Sequence, residues 1–145
     1  MERTRPLVLI ADDDEDILEL VRLRLARRYD TLVARDGEEA LALAVAHLPD
    51  VAVLDITMPK LDGCALTREL ARQPSTSAIP VILLTARAQA RDVSEGLAAG
   101  AADYVTKPFS PELLQERVAA TLKAVEAAAE LAPLGVSLHG PEVGR

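Results

Sequence analysis

Aromatic residues are almost missing from this chain, with one Phe, two Tyr and no Trp among 145 residues. Its core must therefore be aliphatic, and the half of the residues that are apolar can build one. Cysteine occurs once, at Cys64, which excludes an internal disulfide and fits a reducing, cytoplasmic compartment. His47 and His139 lie far apart and do not suggest a zinc site. Positive charge is in deficit: 16 Lys and Arg stand against 23 Asp and Glu, a net charge of −7. Surfaces that track phosphate backbones are basic, so direct binding of nucleic acid is disfavoured. Long hydrophobic runs are also absent. The N-terminal run LVLIA, 7–11, is cut off at once by acids, which makes it neither a signal peptide nor a membrane span. The length suits one ordinary domain.

The chain does contain five short apolar runs: LVLIA at 7–11, TLVA at 31–34, VAVLD at 51–55, VILLT at 81–85 and DYVT at 103–106. Their length and Val/Ile/Leu content predict strands. Helical periodicity fills the intervals. Ile17, Leu18, Val21 and Leu25 share one face, as do Leu41, Ala44, Val45 and Leu48. A last helix starts with Ser110 as N-cap and Pro111 at its first position, and aligns Leu114, Val118, Leu122 and Val125. The expected fold is α/β, a doubly wound (βα)5 three-layer sandwich around a parallel five-stranded sheet. The runs at 7–11, 51–55 and 81–85 are nearly unbroken apolar sequence, as central strands are; the other two are shorter or more polar, as edges are. That gives the order 2-1-3-4-5, flavodoxin-like, with a switch point between strands 1 and 3 where ligands bind beyond the carboxyl ends.

At those ends stand Asp12 and Asp13 after strand 1, Asp55 at the end of strand 3, Thr85 at the end of strand 4 and Lys107 after strand 5. Each alone has an ordinary explanation, such as acids complementing a helix dipole or a turn before a proline. Together, three converging carboxylates need a cation among them, and a hard divalent ion such as Mg²⁺ meets that need, with Lys107 as a fixed second charge. A carboxylate so placed is a phosphoryl acceptor. Asp55 stands singly on the central strand and is the better nucleophile, leaving Asp12 and Asp13 to hold metal, while Thr85 offers a hydroxyl to a phosphoryl oxygen. Asp14, Glu15 and Asp16 read as solvated first-turn residues favoured by the dipole.

The motifs LIADDDEDI, VAVLDITMPKLDG, VILLTA and GAADYVTKPF, in this order, resemble the receiver domain of two-component response regulators, the CheY-like superfamily. The resemblance covers roughly residues 7–126. It implies a receiver domain over 1–128, followed over 129–145 by a helix extension and a flexible tail or truncated linker. It further implies that Asp12, Asp13, Asp55 and the backbone carbonyl of Thr57 hold Mg²⁺, with Mn²⁺ as a substitute, and that Asp55 is phosphorylated by a sensor histidine kinase or histidine phosphotransfer protein. Thr85, Ala86, Lys107 and Tyr104 match the phosphoryl-binding and switch positions, and the bond before Pro108 is expected to be cis. Phosphorylation would reshape the surface of helix 4, strand 5 and helix 5 for an output partner or domain or for a phosphorylation-dependent homodimer, in which Asp103 and Arg117 are candidate contacts. Thr57 and Arg87 occupy positions that tune phosphoryl lifetime in the family. The implied activity is signalling rather than enzymatic turnover. Two other classes remain open at this point, a haloacid-dehalogenase-like phosphatase and a non-catalytic interaction module. The first wants a second Asp where Thr57 stands.

Overall fold

The five apolar runs become five parallel strands in the computed structural model, which describes residues 4–86 and 90–131, and of Ala90 and Asp92 the backbone alone. The elements alternate strictly: β1 (Leu7–Ala11), α1 (Glu15–Leu25), β2 (Asp30–Ala34), α2 (Gly37–His47), β3 (Val51–Asp55), α3 (Gly63–Arg72), β4 (Val81–Ala86), α4 (Ala90–Ala99), β5 (Asp103–Lys107) and α5 (Pro111–Leu131). The sheet order is β2-β1-β3-β4-β5, as the distribution of apolar residues predicts. β1, β3 and β4 are central, and β1 and β3 are buried at every position.

Alternation along the strands builds two cores. Val8, Ile10, Val53, Ile82 and Leu84 pack with Leu18, Val21 and Leu25 of α1 and Leu114 and Val118 of α5. Leu9, Ala52, Leu54 and Leu83 point the other way, toward Ala40 and Ala44 of α2, Leu66 and Leu70 of α3 and Val93 of α4. The result is a three-layer sandwich whose strand C-termini share one edge.

Two helix faces differ from the sequence expectation. In α2 the buried residues are Gly37, Ala40 and Ala44, while Val45 and Leu48 are 44% and 45% exposed. Its fully buried stripe is made of small residues, flanked by Leu41 and Leu43, which lie partly buried against the same core. Leu48 instead ends the helix at a left-handed φ of 49°. In α5 the cap is as expected, with the Leu113 N–H donating to Ser110 Oγ at 3.0 Å. Leu114 and Val118 are buried, but Val125 is 44% exposed on the part of the helix that lies after its buried face. Residue 128, the expected domain boundary, falls inside α5. Arg87 and the tail after Leu131 lie outside the described residues.

Candidate functional site

The register of the parallel strands sets the site. Ala11 pairs with Leu54, so the residues that follow them, Asp12 and Asp55, emerge side by side at the switch point. Thr85 pairs with Thr106 and Ala86 with Lys107, which brings the lysine to the same edge. Asp12 and Thr85 are fully buried, and Asp55 is 6% exposed. Removing two carboxylates from water costs several kcal/mol each after relaxation. The leucines and valines of the same strands hold them there, at about 1.5–3 kcal/mol per buried side chain.

Lys107 answers both charges. Its Nζ lies 3.0 Å from Asp12 Oδ2 and 3.3 Å from Asp55 Oδ2. The span from β5 to β3 is roughly 10 Å at the usual strand spacing, which takes the combined length of a lysine and an aspartate. Asp12 Oδ1 accepts the Asp14 N–H at 2.9 Å, and Asp55 Oδ1 accepts the Thr57 N–H at 3.3 Å. Burial first, and then the neighbouring Asp12 charge, push the Asp55 carboxyl up to about 6, against the partial relief from Lys107 and the Thr57 N–H. At neutral pH Asp55 is thus an ionised carboxylate with a raised proton affinity, a fair nucleophile. For Lys107, burial acts to lower the pKa, but the hydrogen bond and charge of Asp12 and the charge of Asp55 outweigh it and hold the ammonium above its ordinary value.

Asp12, Asp13 and Asp55 each offer a carboxylate oxygen within 4.8 Å of the others, a cluster able to hold a metal ion. Asp12 Oδ2 is buried and, apart from its ion pair with Lys107, makes no hydrogen bond. Such an atom, with exposed Asp13 beside it, fits a hard oxygen-seeking cation.

The remaining expected residues lie along β4, β5 and α5, with Thr85 near the C-terminal end of its strand and Asp103 at the N-terminal end of β5, the end away from Lys107. Thr85 donates its hydroxyl to the Ala86 carbonyl at 3.1 Å. Tyr104 is 39% exposed on β5. The Lys107–Pro108 peptide is cis. Asp103 and Arg117 pair with each other within the chain at 2.8 Å. A cavity of about 200 Å³ beside Thr57 is lined by Met58, Asp62, Cys64, Arg68 and Glu95 and does not reach Asp12 or Lys107.

The structure adds residues that composition and periodicity do not single out. Asp14 is the N-cap of α1, accepting the N–H groups of Asp16 and Ile17, so only Glu15 and Asp16 are first-turn residues. An acid followed two residues later by a helical pattern was the available signal. Glu15 also pairs with Arg35 on the β2–α2 turn. Gly63 lets α3 begin against β3: a Cβ there would lie 2.4 Å from the Asp55 carbonyl oxygen, and its N–H donates to Ile56 at 2.8 Å. The DG pairs at 36–37 and 62–63 hint at these close approaches, but no spacing rule says what they approach.

Comparison with known proteins agrees with this geometry. Residues 8–119 match the family described as response regulator receiver domain. The chain is 44% identical over 123 residues to the alkaline phosphatase synthesis transcriptional regulatory protein PhoP of Bacillus subtilis (strain 168), covering 84% of this chain and 50% of that protein. It is 44% identical over 119 residues to the DNA-binding dual master transcriptional regulator RpaA of Synechocystis sp., covering 81% of this chain and 49% of that protein. The chain thus spans about half the length of these curated relatives. Among solved structures, the Francisella response regulator 1452 receiver domain superposes with a TM-score of 0.75 at 41% identity, over 83% of this chain and 98% of that one. A CheY-like response regulator receiver domain protein from Methanospirillum hungatei JF-1 gives 0.80 at 27% identity, over 86% and 98%. These matches do not favour the phosphatase or interaction-module alternatives. The chain belongs to the response regulator receiver domain family of two-component signalling.

Proposed function

We propose that Asp55 accepts a phosphoryl group from the phosphohistidine of a sensor histidine kinase or histidine phosphotransfer protein, in the cytoplasm, and that the modified chain then signals through its α4–β5–α5 surface. One observation carries this reading above the others: a single ammonium group, Lys107 Nζ, lies within 3.0 Å of Asp12 and 3.3 Å of Asp55 at the switch point of the sheet. A carboxylate oxygen of Asp55 attacks phosphorus, the P–O bond forms as the P–N bond breaks, and the imidazole leaves carrying the electron pair and takes up a proton. The product is an aspartyl phosphate. Asp12, Asp13, Asp55 and the Thr57 carbonyl would hold Mg²⁺, or Mn²⁺ in its place, and the ion when bound supplies neutralising charge for the phosphoryl oxygens. Lys107 gives a phosphoryl oxygen the positive charge it now gives two carboxylates.

Thr85 turns its hydroxyl from the Ala86 carbonyl to the new dianion, and Tyr104 moves into the space Thr85 leaves. The change is a shift between two states, driven only by the difference in affinity of the phosphoryl group for each.

Incubation with acetyl phosphate and Mg²⁺ is expected to add one hydroxylamine-labile phosphoryl group, read by intact-mass spectrometry, and Asp55→Asn is expected to abolish it. Labelling that persists in Asp55→Asn would overturn the assignment. Small phosphate esters should show no multiple turnover.

A further inference from the structure

The β3–α3 loop, residues 56–62, carries Thr57, and its far side lies against the start of α2. The Gly37 N–H donates to the Pro59 carbonyl at 3.3 Å. A Cβ on Gly37 would stand 1.8 Å from the Leu61 carbonyl oxygen and 2.5 Å from the Leu61 Cβ. The Asp36 carboxylate lies 3.6 Å from Lys60 Nζ, and Lys60 itself is held at a left-handed φ of 73°. Four consecutive loop residues, 59–62, are thereby fixed, since Asp62 caps α3 through the Ala65 N–H at 2.8 Å.

We infer that Gly37 is a positioning residue for the metal and phosphoryl site, bracing the β3–α3 loop so that Thr57 keeps its place beside Asp55. The inference rests on the reading of Asp12, Asp13, Asp55 and Thr57 as the Mg²⁺ site. A comfortable carbon–oxygen contact is roughly 3.3 Å, so a methyl group on Gly37 demands a displacement of about 1.5 Å. The obstacle is a backbone carbonyl, which cannot swing aside as a side-chain tip does.

Two routes of relief exist, and each ends at a site residue. If the loop yields, Leu61 and Pro59 move and carry Thr57, whose N–H holds Asp55 Oδ1. If α2 yields, the turn at 34–37 moves, and the Ala34 carbonyl at its start accepts the Asp12 N–H at 3.1 Å. Changes in the groups that orient metal ligands typically cost about 10–100-fold in affinity.

The test measures Mg²⁺ binding by calorimetry, the Mg²⁺ dependence of acetyl phosphate labelling, and the amide signals of Asp12 and Thr57 in the metal-free ¹⁵N-labelled chain. Gly37→Ala is expected to raise half-saturating Mg²⁺ by at least about tenfold, to label to the wild-type extent at saturating Mg²⁺, and to displace the Thr57 or the Asp12 amide signal. Ala44→Gly, which weakens α2 in its buried stripe away from Leu61, should lower the melting temperature and leave half-saturation unchanged. Should Gly37→Ala fail to fold, Leu61→Ala loosens the same loop without a clash and is expected to weaken Mg²⁺ binding in the same direction. Wild-type half-saturation in the folded variants at 37 and 61, or an equal loss in Ala44→Gly, would overturn the brace. A wild-type chain that binds no Mg²⁺ overturns the parent reading instead, and that arm alone reveals it.

Discussion

Asp55→Asn should make the metal-free fold more stable at neutral pH, although it removes a residue from the heart of the site. The Asp55 carboxyl titrates at about 6 in the fold, against an ordinary value of 3.8. Between those values the folded chain still binds the proton and the unfolded chain has lost it, so stability falls as pH rises through this window. Above about pH 6 the full penalty stands, and below about pH 4 it is gone. At about 1.4 kcal/mol per tenfold change in proton affinity, the penalty is at most on the order of 3 kcal/mol. Asn keeps the shape and the acceptor for the Thr57 N–H but never ionises. For a chain of this size about 1 kcal/mol corresponds to roughly 3 °C, so calorimetry in EDTA at pH 7.5 should place the variant's melting temperature up to roughly 9 °C above wild type. The gap should close as pH is lowered toward 4. Added Mg²⁺ should raise the wild type and leave the variant nearly unmoved. A variant that melts at or below wild type in EDTA at pH 7.5, or a gap independent of pH, would refute the reasoning.

Lys107→Met leaves the buried carboxylates of Asp12 and Asp55 without their cation and should destabilise the metal-free chain by about 2–3 kcal/mol, somewhat below the cost of breaking a fully buried pair; urea titration at pH 7.5 and at pH 5 should show the loss shrinking where Asp55 takes up its proton. Asp13→Ala should weaken Mg²⁺ by at least about tenfold, measured by calorimetry, while leaving the far-ultraviolet circular dichroism unchanged. Val45→Lys should alter stability by no more than about 0.5 kcal/mol, because the side chain is exposed; a loss of 2 kcal/mol or more would restore the face expected from periodicity. Ser110→Ala should cost about 1 kcal/mol through the lost cap of α5, read from the urea midpoint.

The strands were legible because a parallel sheet covered on both faces demands unbroken apolar runs, and Leu7–Ala11 and Val51–Asp55 supply them with little competing pattern. Legibility extended to the site for a geometric reason: in a parallel sheet every strand ends on the same edge, so knowing that Asp12, Asp55, Thr85 and Lys107 stand at or just beyond the carboxyl ends of strands is enough to bring them together. The α2 face was legible only in part, at Leu41 and Ala44. Periodicity weighs large side chains, and Val45 and Leu48 outweigh Ala40 and Ala44 on any hydrophobic scale, yet the fully buried positions are Gly37, Ala40 and Ala44, with Gly37 against Leu61. The role of Gly37 is not legible in the sequence either, because it depends on a carbonyl 24 residues away that no local pattern names. Asp14 was misplaced by one position only, since cap and first turn differ by the backbone angle at a single residue.

The run of five acids at 12–16 survives because the fold gives each a different environment rather than one shared remedy. Asp12 is buried and meets Lys107 and the Asp14 N–H. Asp14 caps α1, Glu15 has Arg35, and Asp16 lies in the first turn where the helix dipole favours an anion. Asp13 is left over: among the described residues its carboxylate has no ion pair or hydrogen bond, and it sits outside the helix and beside two other carboxylates. In the proposed Mg²⁺ site its exposed carboxylate would join Asp12 and Asp55 around the cation. Lys107 alone cannot play that part for all three carboxylates, since its single charge is already divided between Asp12 and Asp55.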